Sequence, residues 1–490
     1  MHWTYFQAVV PAIALALVVS SSSGYASDGP KLYSQIDAYV QKLVDQDRVS
    51  GLALAVVKDG AITHQRGFGF RCSGESQVNN RTQFVLGSMS KSFTALAIMQ
   101  LVEARKVDLE APVQHYISWF QVADEEASYL ITVRQLLHHT SGFPKRVPFV
   151  AGTATLEEHV RALGAMKLAQ SPGKGHLYSS GNYQVLGLIV EQVTGKTFAE
   201  YVRQRIFEPL AMNDSRMVPD KSEASLMACG HRYWAGFPFS VDLPHESGRL
   251  PTAAIISTAG DLAKYTKALL NQGRGTKGTV LSPAGVRELL KPGVDVGRFG
   301  YAMGWRVGPI HKVPAIHHGG IVDHFRGKII MLPQQNSAVV VLTNVSGHIG
   351  RHTSHLIANG VAAILAGKKA PRASGLRLGL LLSGLALVLL VLSIELVKEI
   401  VTLGRWTKKL TGEPPKTKWA KIKLWSVLGF GVVFPLVLLF GLPLGMQISW
   451  KQLLQAMPDV MYWLLVYLPC GFVLTGTKIR RAWSLTRNTG

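Results

Sequence analysis

The sequence predicts a mixed α/β domain of the α+β kind, with one antiparallel sheet drawn from both ends of the domain, followed by a membrane region. Three observations carry this expectation. Strand-like runs cluster near residues 52–70 and 301–344, a long helix-patterned middle separates them, and apolar segments follow at 376–397, 424–446 and 460–476.

The first element is the run FQAVVPAIALALVV at residues 6–19, followed by small residues with Gly24 and Ala26 spaced as a cleavage signal before Ser27. Residues 1–26 therefore read as a secretory signal, or as an uncleaved N-terminal anchor because Lys and Arg are missing ahead of the run. Either version exports the domain behind it. Residues 31–366 read as one globular domain. Leu32, Ile36, Tyr39, Val40, Leu43 and Val44 recur at helical spacing, and LALAVV (52–57), Asp59-Gly60 and AITHQRGFGF then form a hairpin. Strands return at YAMGWRV (301–307), KIIML (328–332) and AVVVLTN (338–344), and a helical stretch runs to about residue 366. GKKAPRASG (367–375) is a linker by composition.

Residues 376–490 form the membrane domain, because a span needs roughly 20 apolar residues and three segments approach that length. The 398–423 loop carries Lys398, Arg405, Lys408, Lys409, Lys416, Lys418, Lys421 and Lys423, and the tail adds Lys478, Arg480, Arg481 and Arg487. Those cations belong on the cytoplasmic side. The opposite side holds only Lys368, Lys369, Arg372, Arg377 and Lys451, so the bias places a multi-pass protein in the cytoplasmic membrane with its large domain outside.

Composition narrows the function. Charged residues make up 17% of the chain against a usual share of about 25%, which excludes a disordered or coiled-coil protein and implies contact with lipid. The net charge of +22 is concentrated beside the apolar segments: from Lys368 onward there are 17 Lys and Arg against 4 Asp and Glu. That placement is a topology signal and calls for no nucleic acid partner. Cys72, Cys229 and Cys470 are too few for a disulfide framework, although a Cys72–Cys229 bridge is open to an exported domain.

The chemistry-bearing signal is FVLGSMSKSFTALAIMQLVE, where Ser88 and Lys91 stand three apart as an apolar helix begins. That spacing puts both side chains on one helix face. The free N–H groups and dipole of the helix start favour negative charge on Ser88 and on a neighbouring oxyanion, while Lys91 can take its proton. A helix cap beside a surface lysine is the plainer reading of this pair alone.

The surrounding stretches resemble the serine beta-lactamase and penicillin-binding-protein family, in its class C beta-lactamase-related branch. LEAPVQHYISWF, ITVRQLLHHTSGFP, SPGKGHLYSSGNYQVLGLIVEQVTGKTF and IISTAGDLAKYTKALLNQG follow the Ser88 stretch in order over most of residues 31–366. The resemblance implies an antiparallel sheet with flanking helices and an all-helical subdomain. It implies two-step acyl transfer on an amide or ester carbonyl of a small molecule or peptide, with no metal and no cofactor. Ser88 is then the nucleophile, while Lys91 and Tyr178 manage its proton. A nearby ammonium is expected to ease ionisation of Tyr178 below its reference pKa of about 10.

Tyr178 matches the tyrosine of the family's Tyr-x-Asn motif, but Ser180 stands where Asn is expected. A hydroxyl offers a shorter and less versatile contact than an amide, so recognition of beta-lactam amides is expected to be weak. HHGGIVDHF resembles the third motif, with His317 as its leading residue and Gly319 and Gly320 opening the strand to substrate. The Gly320 N–H is expected to join that of Ser88 as an oxyanion hole, and His317, if protonated, to attract a substrate carboxylate. Thr258 and Asp261 read as a helix start, and His138 and His139 as part of a turn. His348, His352 and His355 share helical spacing but lack a metalloprotease pattern, so they read as a polar face. An alternative to the enzyme is a penicillin- or wall-peptide-binding sensor with little turnover. A transporter is disfavoured, since no paired inward charges interrupt the apolar segments.

Overall fold

The computed structural model describes residues 28–487 except 73, 75, 149, 151–153, 218–225, 235–236, 242–248, 323, 346–352, 372–377, 413–416, 442–443, 445–449 and 451–457. The expected signal at 1–26, His348 and His352 thus lie outside the described residues. The strands are β1 (Gly51–Lys58), β2 (Ala61–Gly69), β3 (Phe84–Val85), β4 (Gly230–Trp234), β5 (Phe237–Val241), β6 (Ile256–Ser257), β7 (Val294–Asp295), β8 (Gly300–Tyr301), β9 (Arg306–Ile310), β10 (Val313–Val322), β11 (Phe325–Leu332) and β12 (Ser337–Thr343). The main helices are α1 (Asp28–Asp47), α2 (Ser90–Glu103), α3 (Ser180–Thr194), α4 (Ala259–Leu270), α5 (Thr353–Leu365), α6 (Leu378–Gly412), α7 (Lys418–Leu436) and α8 (Pro458–Arg487).

The expected joining of the two chain ends is what the sheet contains. Its order is β2-β1-β12-β11-β10-β9-β8-β7, and every pairing is antiparallel. The β1–β2 turn is closed by Asp59 and Gly60, both at positive φ, the geometry a tight hairpin needs. The uninterrupted apolar run of β1 has a physical reason: both faces of the strand are covered. Leu52, Leu54 and Val56 pack with Ile36, Val40 and Leu43 of α1 and Ile357 and Val361 of α5. Ala53, Ala55 and Val57 join the opposite core, with Phe93 and Leu96 of α2, Val185 and Leu186 of α3, and Leu262 and Tyr265 of α4. The sheet thus separates a two-helix layer from a larger helical region, and the start of α2 sits against β10 and β11.

The run 301–307 departs from expectation. It is broken into β8 and β9 by a turn at Ala302–Trp305, in which Gly304 takes φ +75. A Cβ there would meet Lys91 O and Ser92 Cα at 2.9 Å, so the strand must turn without a side chain where it crosses the backbone of α2. A Cys72–Cys229 disulfide joins the segment after β2 to the start of β4.

Beyond the domain, two helical segments among the described residues are long and apolar enough to cross a membrane, Leu424–Gly441 and Pro458–Ser484. Of the expected first span, residues 378–397 fall in the longer helix α6 and 376–377 lie outside the described residues; Leu385 and Leu389 of α6 pack with Leu464 and Leu468 of α8. Trp463 Nε1 of α8 donates to Ser393 Oγ of α6 at 2.8 Å.

Gly304→Ala should destabilise the protein by about 1–3 kcal/mol, the cost of a strained φ in a non-glycine residue. It should also displace Lys91. Chemical unfolding at constant slope measures the first effect, and an unchanged midpoint would show that α2 yields to the new methyl group.

Candidate active site

Ser88 lies in a 3-10 turn, Gly87–Met89, that runs directly into α2, and Lys91 occupies the first full turn of that helix. The β3–β6 pair and a Leu86 N–H to Ile255 carbonyl hydrogen bond of 2.8 Å fix the entry to this turn. Gly87 takes φ +58, and a Cβ on it would come within 2.6 Å of Ile321 N and 3.1 Å of Gly320 C. The residue before Ser88 therefore presses on the backbone of β10, where the Gly320–Ile321 peptide lies.

Lys91 is fully buried, and its Nζ is 3.3 Å from Ser88 Oγ and 3.0 Å from Thr252 O. Burial, with the charges of Arg249 and Arg306 adding to it, lowers the Lys91 pKa to about 7. Near neutrality the amine is thus partly unprotonated. It can then donate to the Thr252 carbonyl while its lone pair receives the Ser88 hydroxyl proton. Thr252 is held in place from α2 itself, since Thr94 Oγ1 donates to Pro251 O at 2.7 Å and Ser90 Oγ accepts from Ile255 N at 3.2 Å.

The Tyr178 ring stands over this amine at 5.0 Å. Its hydroxyl is buried beside Ser88 but makes no hydrogen bond within 3.5 Å among the described residues. Here the sequence expectation is corrected: burial pushes the Tyr178 pKa up to about 12, a larger effect than the nearby Ser88 and Arg306 exert in the other direction. Tyr178 therefore keeps its proton at neutral pH, where Lys91 is already partly neutral.

Helix α3 begins at Ser180, and the position of Tyr178 is set by groups the sequence reading assigned to a turn. His139 Nδ1 accepts from Ser179 N at 3.2 Å and from Asn182 Nδ2 at 2.8 Å, so its ring proton sits on Nε2. Ser141 Oγ donates to Asn182 Oδ1 at 2.5 Å, and the His139 and Tyr178 ring centroids are 4.4 Å apart. His139 is thus the tyrosine's neighbour as well as part of the turn, with φ +58. Ser180 is half-buried.

The histidines of β10 divide between the two faces of the sheet. His317 pairs in register with Ile330, which packs in the α1 and α5 layer, whereas His318 pairs with Ile329, which packs in the α2 layer. His318, rather than His317, therefore faces Tyr178 and Lys91: its ring is 6.3 Å from that of Tyr178, and Lys91 acts on its charge. It donates from Nδ1 to Gly319 O at 2.7 Å and presents Nε2 to the Tyr301 hydroxyl at 3.5 Å. Burial holds His318 well below its usual pKa, and burial with Lys328, Arg306 and His355 lowers His317 to about 3. Neither imidazole is a cation at neutral pH, so the expected charged anchor at His317 is not present.

Gly319 and Gly320 also serve another purpose than expected. A Cβ on Gly319 would lie 2.6 Å from His355 Nε2, and one on Gly320 would lie 1.8 Å from Leu86 O. Both admit neighbouring protein groups. The positive charges that act on Lys91 are those of Arg249 and of Arg306, which lies at the start of β9 and stacks 5.1 Å over Phe299. Among the described residues no Asp or Glu is among the charges acting on Lys91, Tyr178, His317 or His318. Among the described residues no group of three or more His, Cys, Asp or Glu could hold a metal ion.

Removing Asn182 tests the support of Tyr178. Asn182→Leu would take from His139 Nδ1 one of its two donors and leave the buried Ser141 hydroxyl proton without its acceptor, at a cost of about 1–3 kcal/mol. A thermal or urea transition indistinguishable from that of the unmodified chain would contradict the network.

A family model described as Beta-lactamase matches residues 36–363, the whole sheet and helical region just described. "Protein flp" of Staphylococcus aureus (strain MRSA252) is 25% identical over 328 residues, which is 66% of this chain and 65% of that protein. The chain therefore spans slightly less than two thirds of that relative. "Penicillin-binding protein 4" of Amycolatopsis lactamdurans is 29% identical over 314 residues, covering 61% of this chain and 82% of that protein. The solved structure of the octameric penicillin-binding protein homologue from Pyrococcus abyssi superposes with a TM-score of 0.63 at 26% identity, over 69% of this chain and 78% of that one. With a serine and a buried lysine at the start of α2 and a tyrosine above them, residues 36–363 belong to the Beta-lactamase family.

Proposed function

We propose that the chain is a membrane-anchored serine hydrolase that cleaves amide or ester bonds through an acyl-enzyme on Ser88. The observation that carries this reading is the buried Lys91 amine, 3.3 Å from Ser88 Oγ and with its pKa lowered to about 7. In the first step Ser88 gives its proton to Lys91 and Oγ bonds to the substrate carbonyl carbon. The oxyanion is held by the N–H of Ser88 and by backbone N–H at Gly320–Ile321, the strand segment nearest the nucleophile's turn. The proton passes by the Tyr178 hydroxyl to the leaving nitrogen or oxygen as the carbonyl bond to it breaks. Water then attacks the ester, gives its proton to the same pair, and restores Ser88. This path needs neither metal nor cofactor.

The substrate reading is a D-amino-acid peptide of the cell wall or a small ester. Relatives named penicillin-binding proteins support the peptide. The Arg306 cation, which acts on both Lys91 and Tyr178, favours a substrate that carries negative charge. Ser180, with a short hydroxyl in place of an amide, favours weak handling of beta-lactams. For location, a disulfide between Cys72 and Cys229 suits an oxidising compartment, and the cations at 398–423 and at the end of α8 favour the cytoplasmic side for those segments.

A fluorophosphonate should label Ser88, and Ser88→Ala should remove both labelling and turnover while leaving the unfolding transition in place. Labelling that persists in the alanine variant refutes the nucleophile. Steady turnover favours the enzyme, whereas a long-lived acyl adduct with no turnover favours the sensor.

Because Lys91 must be neutral to accept the proton, kcat/KM should rise with pH through about 7. Arg306→Gln removes a charge that lowers the Lys91 pKa, so the same limb should move to higher pH. A limb that stays in place would contradict the electrostatic coupling. Topology is checked with phosphatase reporters, expected active after residue 366 and inactive after residue 410; the reverse pattern would invert the orientation.

A further inference from the structure

The hairpin β4–β5 belongs neither to the main sheet nor to the site, and its two faces differ sharply. His231 and Tyr233 point inward and are buried, and the Tyr233 hydroxyl donates to Asp47 O at the end of α1 at 2.7 Å. Cys229, immediately before the hairpin, is tied to Cys72. Its base is thus fixed to the domain. On the other face, the register pairs Arg232 with Phe239 and Trp234 with Phe237, so all four side chains share one side of the ribbon. Trp234 is 44% exposed, Phe237 53% and Phe239 56%. The two strands carry no acidic residue.

This aromatic face meets the first turn of α8. Trp234 and Tyr462 have ring centroids 5.9 Å apart, and between them lies a mostly apolar groove of about 380 Å³ lined by Arg232, Tyr233, Trp234, Phe239, Pro458 and Tyr462. The Arg232 guanidinium borders the groove, with Nη2 at 3.3 Å from His324 Nε2 and its buried Nε without a partner among the described residues. Pro458 begins a candidate membrane span, Pro458–Ser484, whose far end carries Lys478, Arg480 and Arg481. The hairpin therefore stands at the poorly charged end of that span, at the level where a bilayer surface would lie.

Aromatic rings with an adjacent cation suit the boundary between lipid headgroups and acyl chains, where apolar surface is buried and a phosphate is within reach. We propose that the β4–β5 hairpin is a membrane foot: Trp234, Phe237 and Phe239 enter the lipid interface beside α8, an acyl chain fills the groove, and Arg232 meets the phospholipid phosphate. The foot holds the domain at a fixed tilt and height above the bilayer. Its occupant is phospholipid, because the groove is lined in part by Tyr462, a 53% exposed aromatic near the start of a candidate membrane span.

The test uses the full chain in nanodiscs of phosphatidylcholine and phosphatidylglycerol. A nitrobenzoxadiazole label is placed at Phe239→Cys in a Cys470→Ser background, with Tyr129→Cys as an exposed control elsewhere on the domain. The label at 239 should be quenched several-fold more by nitroxide-bearing lipid than by aqueous iodide, and the label at 129 the reverse. Equal quenching profiles at the two positions would overturn the proposal. So would chain-to-chain crosslinking through position 239 without lipid quenching, which would assign the face to a second copy. A second arm leaves the face unlabelled: a phospholipid with a diazirine in its acyl chain should crosslink to residues 230–241, at least tenfold less after Trp234→Ser with Phe239→Ser. Crosslinks confined to the membrane helices would overturn the proposal. Neither arm depends on chemistry at Ser88.

Discussion

The arrangement around Ser88 depends on burying the Lys91 amine with no carboxylate partner among the described residues. An ammonium in such a place is penalised by lost hydration and, here, by two arginines nearby, so Lys91 is driven toward its neutral form. A paired lysine would stay charged and could not accept a proton. The charge pattern that weakens the lysine as a cation therefore suits it to the proposed role of base. The same burial acts in the opposite sense on Tyr178, raising its pKa to about 12 and keeping its hydroxyl protonated.

The rest of the fold holds these two groups together from different parts of the chain. Helix α2 brings Ser88 and Lys91, and the backbone at Pro251–Ile255 is pinned along it to supply the Thr252 carbonyl. The Ser141–Asn182–His139 chain fixes the start of α3 and with it Tyr178. Strand β10 closes the other side, with Gly87 and Gly320 allowing two backbones to touch. Each contact is made by a residue whose side chain is small, buried or satisfied, which limits the directions in which the site can relax.

Much of this was legible in the sequence where one local rule decided the outcome. The Asp59-Gly60 turn, the apolar run of β1 and the Ser88–Lys91 spacing each needed only neighbouring residues to be read. The faces of β10 were not legible. In VPAIHHGGIV polar and apolar residues do not alternate cleanly, so a one-residue choice between His317 and His318 had no pattern to settle it, and that choice reverses the face. Arg306 was hidden because YAMGWRV reads as one strand; the turn at Gly304 is imposed by the backbone of α2, far away in sequence. The direction of the Tyr178 shift was likewise out of reach, since it turns on burial by residues from several segments. His139 had a local turn reading that was correct but incomplete.

Neutrality of Lys91 at working pH is the central claim, and the ionisation of this amine can be observed directly. In protein carrying 13C at the lysine ε position, the Lys91 resonance is assigned by its loss in Lys91→Ala and followed between pH 5 and 11. The expected midpoint is near 7, as burial and the two arginines require. A midpoint near the ordinary lysine value of about 10.4 would contradict the claim, because the amine beside Ser88 would then be an ammonium with no capacity to accept the proton.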